Sequence, residues 1–557
     1  MNLRVIGFFW LLVVFVASAA RSEQADIVVY GGTAGGVSAA VQAARMQRSV
    51  ILIEPGRHLG GLASSGLGAT DIGKEHAIGG IAREYYRRIK AHYAQPQSWT
   101  WQKATDYKSH RHDRNADIMW YAEPHVAEKI FDALVREAGV TVIRGERLDL
   151  QRGVLKEGTR IRQISMESGR TFTAAVFIDA SYEGDVMAKA GVSYHVGREA
   201  NSVYGENLNG VQTKRVPYNG HNFYRPVDPY KIPGDPSSGL IYGIQAEPPS
   251  EEGSGDHRVQ SYCFRGCFTN VPENRVPFPK PPGYDPAHYE LVLRYLRTEG
   301  TDLRFADHPK PRPIEHPGLG YNPFTVIMPN LKTDSNTKGA VSFNFVGGSY
   351  AYPDADYATR ELIIAAHRTW QQGLLWFLQN DPRVPAAYRE PMQTWGLPKD
   401  EFTDNGHWPH QLYVREARRM IGEFVLTEHE CAGRRTVSDG IGLGSYGMDS
   451  HVVQRYVDQA GHVRNEGNIG GPVPKPYPIS YRSLTPKRSE CENLLVPVCI
   501  SATHVAYGSI RMEPVYMIMG QAAGTAAVHA IEAKTTVQGV DAAKLRRRLQ
   551  QDGQILE

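Results

Sequence analysis

The stretch Asp26–Asp71, DIVVYGGTAGGVSAAVQAARMQRSVILIEPGRHLGGLASSGLGATD, decides the fold. Its opening run, Ile27-Val28-Val29-Tyr30, is of the β-branched and aromatic kind that suits a strand buried on both faces. The run breaks into GGTAGG, residues 31–36, and then into small residues, Ala39, Ala40, Ala43 and Ala44, at helical spacing. A second apolar run, Val50 to Ile53, ends on the acid Glu54. This is the pattern of a βαβ unit with a glycine-rich first turn. Each part has a task at a dinucleotide. Gly31 allows the tight turn, Gly36 lets helix and strand pack closely, and the free N–H groups at the helix start attract a pyrophosphate. Glu54, about twenty residues on, accepts hydrogen bonds from a ribose hydroxyl. One position departs from the G-x-G-x-x-G fingerprint. Thr33 places a Cβ where the backbone should approach the phosphates. A letter-perfect match, GLGSYG at Gly442–Gly447, follows the polar RRTVSD with no strand before it and is set aside.

The first residues, 1–25, combine a basic start at Arg4, an apolar run from Val5 to Val16, and the small residues Ala17-Ser18-Ala19. They read as a secretory signal peptide, which puts the mature protein in the periplasm or outside the cell. The apolar run is short for a full membrane span, and no later run is long enough for one. At 557 residues the chain has room for two domains with large cores. A formal charge of +3, with no basic cluster interleaved with aromatics, argues against nucleic acid as a partner. The five cysteines, Cys263, Cys267, Cys431, Cys491 and Cys499, form no C-x-x-C pair. That argues against an iron–sulfur cluster and a redox dithiol, and an oxidising compartment would allow at most two disulfides.

Further along, Ile81–Tyr93 reads as a helix, Val126 to Val135 as another, and Val140–Ile143 as a strand. A strand at Ala175–Ile178 runs into Asp179-Ala180-Ser181. Between about residues 197 and 480, proline-rich loops alternate with two amphipathic helices, Tyr357–Asn380 and His410–Glu428. The last informative stretch gives a short strand, Leu494–Val498, a polar loop, His504–Glu513, and a helix rich in Gly and Ala, Val515–Ala530.

Taken together, E-P-x-x-x-L-G-G-L-x-S-S-G-L-G from Glu54 resembles the FAD-dependent oxidoreductases of the glutathione-reductase-like flavin fold. More narrowly, it is similar to a secreted bacterial branch loosely labelled xanthan-lyase-like. The resembling blocks are Asp26–Asp71, Ala122–Val126, Phe177–Asn209, Tyr413–Glu428 and Ile479–Ala527. The resemblance implies an α/β architecture: a three-layer, Rossmann-like FAD-binding domain over 26–205, completed by a return at 480–540. An inserted α+β substrate or cap domain fills 206–479, and 541–557 is a tail. It implies FAD held at Gly31, Gly32, Thr33, Ala34, Gly35 and Gly36, and at Glu54, Pro55, Gly60, Gly61, Leu62 and Ser65. Asp179, Ala180 and Ser181 would follow, with Gly520 and Gln521 on a helix whose N-terminal dipole favours the reduced ring.

The chemistry expected is hydride transfer to flavin from a hydroxyl of a carbohydrate or polyol, free or in an oligosaccharide. That needs a base titrating near ambient pH, hence a histidine. His504, in the loop before the flavin-facing helix, leads, with His407 and His410 of NGHWPHQLY behind it. Arg511, beside Glu513, and Arg415, Arg418 and Arg419 of YVREARRM suit a substrate carboxylate or the charge of a reduced flavin; a solvated or ion-paired helix face is the plainer account of them. No metal is expected, and oxygen, a quinone or a cytochrome remains open as electron acceptor. A carbohydrate-binding or lyase protein without redox use is the alternative, and only Thr33 favours it.

Overall fold

The apolar runs of the opening stretch become the centre of a mostly parallel sheet. β1 (Ser22–Tyr30), β2 (Val50–Glu54) and β3 (Thr141–Arg144) lie side by side and parallel. The hairpin of β4 (Val154–Glu157) and β5 (Arg160–Ser165) lies antiparallel to the start of β6 (Thr171–Asp179). β6 runs parallel to β1, and β7 (Leu494–Leu495) pairs parallel with the end of β6. The computed structural model describes residues 22–109, 111, 113, 115–214, 221–223, 226–297, 302–303, 312–313, 326–337 and 339–557. Most of the expected signal peptide, residues 1–21, lies outside them. Ser22–Ala25, its last four residues, pair instead with Thr171–Ala174 as the start of β1.

Several expected helices form where their periodicity placed them: α1 (Ala34–Arg45), α2 (Gly80–Tyr93), α3 (Pro124–Ala138) and α4 (Tyr357–Asn380). α3 starts on a proline and stops at Gly139, which takes the left-handed conformation that ends helices. α4 is capped by Asp356, whose side chain accepts from the Thr359 N–H. Near the C-terminus come α5 (His504–Ile510), α6 (Glu513–Glu532) and α7 (Ala542–Gln551). α6 lies so close to α1 that a Cβ on Gly520 would fall 2.0 Å from the Gly35 carbonyl oxygen. One on Gly524 would fall 2.4 Å from that of Ala39.

Two expectations need correction. His410–Glu428 is not a helix: Arg418–Met420 is a strand, antiparallel to Tyr194–Val196, and only Glu428–Cys431 turns helically. Arg415, Arg418 and Arg419 are buried there alongside the apolar residues, so the polar face of an amphipathic helix does not exist. His504–Glu513 is not a loop, because Thr503 caps a helix by accepting from the Ala506 N–H. The stretch 541–557, expected as a C-terminal tail, carries α7, whose Leu545 and Leu549 are buried, and the Gly80 N–H donates to the Gly553 carbonyl at 2.8 Å. One apolar cluster contains residues both of the nucleotide-binding part and of the stretch expected as an insert, from Ile27 through Trp370 and Trp408 to Leu556. The rejected GLGSYG begins inside a strand, Gly440–Gly444, paired with Tyr477–Ser480. All five cysteines are buried free thiols. Among the described residues no helix is long and apolar enough to cross a membrane.

Candidate functional site

The carboxyl ends of β1, β2 and β6 meet at a cavity of about 540 Å3, where open α/β sheets bind ligands. Gly31, which follows β1, has φ +101°, and a Cβ there would fall 2.6 Å from the Ser181 nitrogen. A Cβ on Gly36 would fall 1.9 Å from the Gly31 carbonyl oxygen, so the turn and the helix start tolerate no side chain at either place. Thr33 is the N-cap of α1. Its hydroxyl accepts from the Gly36 N–H (3.2 Å) and donates to the Ala180 carbonyl (2.8 Å). The hydroxyl of the non-glycine residue is thus engaged by the end of β6 and caps the helix.

Glu54 accepts from the N–H groups of Gly32 (2.7 Å) and Gly56 (2.6 Å) and lines the cavity. Burial pushes its carboxyl up to about 7 against the pull of those amides. Asp179 accepts from the Ser181 N–H (3.1 Å) and hydroxyl (2.7 Å) and from the Met187 N–H (2.9 Å), which fixes the turn after β6. The far wall comes from α4. Arg360 grips Asp185 with two bonds, at 2.6 and 2.9 Å, and the Arg147 guanidinium lies 4.6 Å above the Tyr357 ring.

At the start of α6, Glu513 accepts from the Tyr182 hydroxyl at 2.9 Å, and that hydroxyl accepts from the Leu62 N–H at 3.0 Å. The second Glu513 oxygen is buried with no hydrogen-bond partner. Burial favours the neutral form of this carboxyl and pushes it up to about 8, against the pull of the Tyr182 hydroxyl. Tyr182 also lines the cavity, so the glycine loop, the cavity and the helix start are tied through one phenol.

Beyond that loop, Tyr413, Arg511 and His451 gather around Asp449, whose open side-chain face forms a small recess. Gly66 packs against Arg265 and Gly73 against Ser445, while Leu412, on the cavity wall, is followed by Tyr413. Arg511 donates to the Tyr413 hydroxyl (2.8 Å) and to the Asp449 carboxylate (3.3 Å). Burial pushes the Asp449 carboxyl up to about 6, with Arg511 opposing, yet its side chain keeps 36% of its surface open. That open face is set among the buried residues Met448, His451 and Arg511. His451 stands behind it, with Nε2 3.8 Å from Asp449 and Nδ1 3.1 Å from the Thr337 hydroxyl.

The residues expected from sequence divide between wall, support and elsewhere. Gly31, Thr33, Glu54, Pro55, Gly61, Ser181 and His410 line the cavity. Gly32, Ala34, Gly35, Gly36, Gly60, Leu62, Ser65, Asp179 and Ala180 are not part of its wall. Gly520 and Gln521 do not reach it: the first is a helix-packing glycine, and the second accepts from the Ile81 N–H at 2.9 Å. His504 is buried away from the cavity, 2.7 Å from Glu416, in a network with Glu199 and Arg419. His407 sits with φ +61° and its Nδ1 3.1 Å from the Glu401 carbonyl, off the cavity. His410 stacks on His58 at 4.0 Å, and burial, then the neighbouring His58, push its imidazole down to about 3. Arg511 belongs to the recess. Sequence reasoning missed Asp449, His451, Tyr182, Arg360 and Tyr357, which no local pattern distinguishes. Glu513 was passed over beside Arg511, although its place at a helix start was a usable signal.

One cluster has the composition of a metal site. Glu123, His125 and Glu401 bring ligand atoms within 4.8 Å of one another. The Lys332 ammonium is already there, 2.7 Å from Glu123, 2.8 Å from Asp400 and 2.6 Å from Glu401. A buried cation of the protein's own thus neutralises the acids.

Several solved structures are similar to part of this chain. The L-amino acid deaminase from Proteus vulgaris shares 16% identity over 32% of this chain and 53% of its own, with a TM-score of 0.24. The L-proline dehydrogenase from P.horikoshii shares 15% over 32% and 59%, at 0.23. The myxobacterial chondrochloren halogenase CndH shares 21% over 32% and 41%, at 0.22. The chain thus spans about half the length of these structures. No curated protein matches it. The profile of the FAD dependent oxidoreductase family, by contrast, matches residues 26–549, nearly the whole chain, and the protein belongs to that family.

Proposed function

We propose that the protein oxidises a hydroxyl group of a carbohydrate or polyol in the recess at Asp449, and that it does so outside the cytoplasm. FAD is the cofactor of the family, and it supplies the two-electron redox chemistry when bound. The residues present fit it. Gly31, Thr33 and Ser181 frame a turn with no room for added side chains, and Glu54 stands ready for a ribose hydroxyl. The orphan oxygen of Glu513, at the start of α6, adds a hydrogen-bonding group beside the glycine loop.

The observation that carries the reading is Asp449: a carboxylate set among buried residues, with an open face and its proton affinity raised to the range of a useful base. Asp449 would take the hydroxyl proton, while Arg511 keeps it oriented and Tyr413 offers a ring against which a sugar can lie. Asp449 replaces His504 as the base, since His504 is spent on Glu416. The expected carbohydrate rests on the leader-like N-terminus and the polar character of the recess. The non-redox alternative loses its support, because Thr33 caps the helix.

The test is anaerobic mixing of the FAD-loaded enzyme with a panel of sugars and polyols, watching the flavin absorbance bleach. Asp449→Asn should slow bleaching by about 10²–10⁴-fold. A flavin that no hydroxyl compound reduces would refute the reading.

A further inference from the structure

Three arginines lie within five residues, Arg415, Arg418 and Arg419, and all are buried. Two are neutralised twice over. Arg418 pairs with Asp185 and Asp354, and Arg419 with Glu199 and Glu416. Arg415 makes no ion pair among the described residues, although its charge is felt at Asp449, whose proton affinity it lowers. Its partners are all neutral: the Ser261 carbonyl, the Asn344 amide oxygen (3.0 Å), the Cys263 sulfur (3.1 Å) and the Thr337 hydroxyl (3.4 Å). Its Nε is buried with no acceptor at all.

A buried guanidinium without a counter-charge is costly, and a chain that supplied carboxylates to both neighbours left this one bare. Burial lowers the proton affinity of Arg415, as expected of a charge short of compensation, and Arg511 adds to the effect. Arg415 lies 4.6 Å and Arg511 5.9 Å from the centroid of the Tyr413 ring. Arg511 donates to the Tyr413 hydroxyl (2.8 Å) and to the carbonyl (3.2 Å) and carboxylate (3.3 Å) of Asp449, but its own Nε is also without an acceptor. Two incompletely satisfied guanidinium groups therefore share one aromatic ring beside the recess. Arginine in this arrangement suits a planar, two-oxygen anion.

We propose that the recess binds an acidic substrate, a sugar acid of the uronate or aldonate class, whose carboxylate is the missing partner of Arg415, with Arg511 assisting. This deepens the reading of the recess as the substrate site and rests on it. Asp449 stays free to face the hydroxyl, because the two arginines hold the other end of the molecule.

Calorimetric titration of the FAD-loaded enzyme with D-glucuronate and with D-glucose tests this, repeated on Arg415→Met and Arg415→Lys. Wild type should bind glucuronate at least tenfold more tightly than glucose. Arg415→Met should lose that margin while its melting temperature holds or rises, since replacing an uncompensated buried charge by an apolar side chain is often neutral or stabilising. Equal binding of the two sugars by wild type overturns the inference, as does a margin that survives Arg415→Met. If Arg415 instead balances the reduced flavin, Arg415→Met lowers the flavin reduction potential and leaves the margin intact, which also overturns it. Should Arg415→Met not fold, Arg415→Lys and the wild-type comparison decide. Flavin bleaching separates this from the parent reading. Bleaching by glucose with no preference for the acid sinks the anion site alone. Arg415-dependent glucuronate binding, with no bleaching by any hydroxyl compound, supports the anion site and sinks the redox assignment of the recess.

Discussion

Glu513 carries the clearest consequence at the scale of one residue. Its carboxyl sits at about 8 in the fold against an ordinary value near 4.5, so between those values the folded chain keeps a proton that the unfolded chain has lost. The stability tied to this group is whole below about 4.5 and is lost as the pH rises through 8. Glu513→Gln should therefore stabilise the flavin-free protein at pH 9 by a few kcal/mol, at about 1.4 kcal/mol per pKa unit, and give no gain at pH 4. Urea midpoints at the two pH values check this. Asp449 acts on turnover instead: kcat/KM should rise with pH through about 6, as its carboxyl loses its proton, and then level off. A pH profile of Asp449→Asn that keeps the same limb would exclude it as the base. Lys332 is a structural counterpart. Lys332→Met leaves Glu123, Asp400 and Glu401 facing one another without their cation, and should cost about 3–5 kcal/mol in equilibrium unfolding at pH 7.

At the scale of elements, the contact of α1 with α6 aligns the helix that begins at the cavity. Gly520 has no space for a Cβ against Gly35. Gly520→Val should push the helices apart, with a loss of about 3 kcal/mol or more and less flavin bound after purification, read from the ratio of flavin to protein absorbance. The sequence showed small residues here and suggested contact with the cofactor, whereas contact with a neighbouring helix explains them. α1, α3 and α4 were legible because each has a solvated side or a cap that marks it. The stretch 410–428 was not, because its arginines find carboxylates inside the protein, and buried charge mimics the polar face of a helix.

Across the whole molecule, one apolar cluster joins the nucleotide-binding sheet to the stretch expected as a separate insert. Thermal unfolding should therefore show a single transition. FAD at about a hundred times its dissociation constant should shift it upward as one unit, by the equivalent of about 2.7 kcal/mol. Two transitions, with only one moved by FAD, would mean that the insert folds apart from the rest. By itself the sequence determined the βαβ unit, its glycine turn and the acid that closes it, since strand, turn and helix preferences act between near neighbours. It also named part of the cavity wall, including Gly31, Glu54 and Ser181. Only the tertiary structure decided which ionisable groups remain without partners. Charge compensation acts between residues far apart in the chain: His504 is taken up by Glu416 and Arg418 by Asp185, while Arg415 makes no ion pair among the described residues and Asp449 keeps an open face.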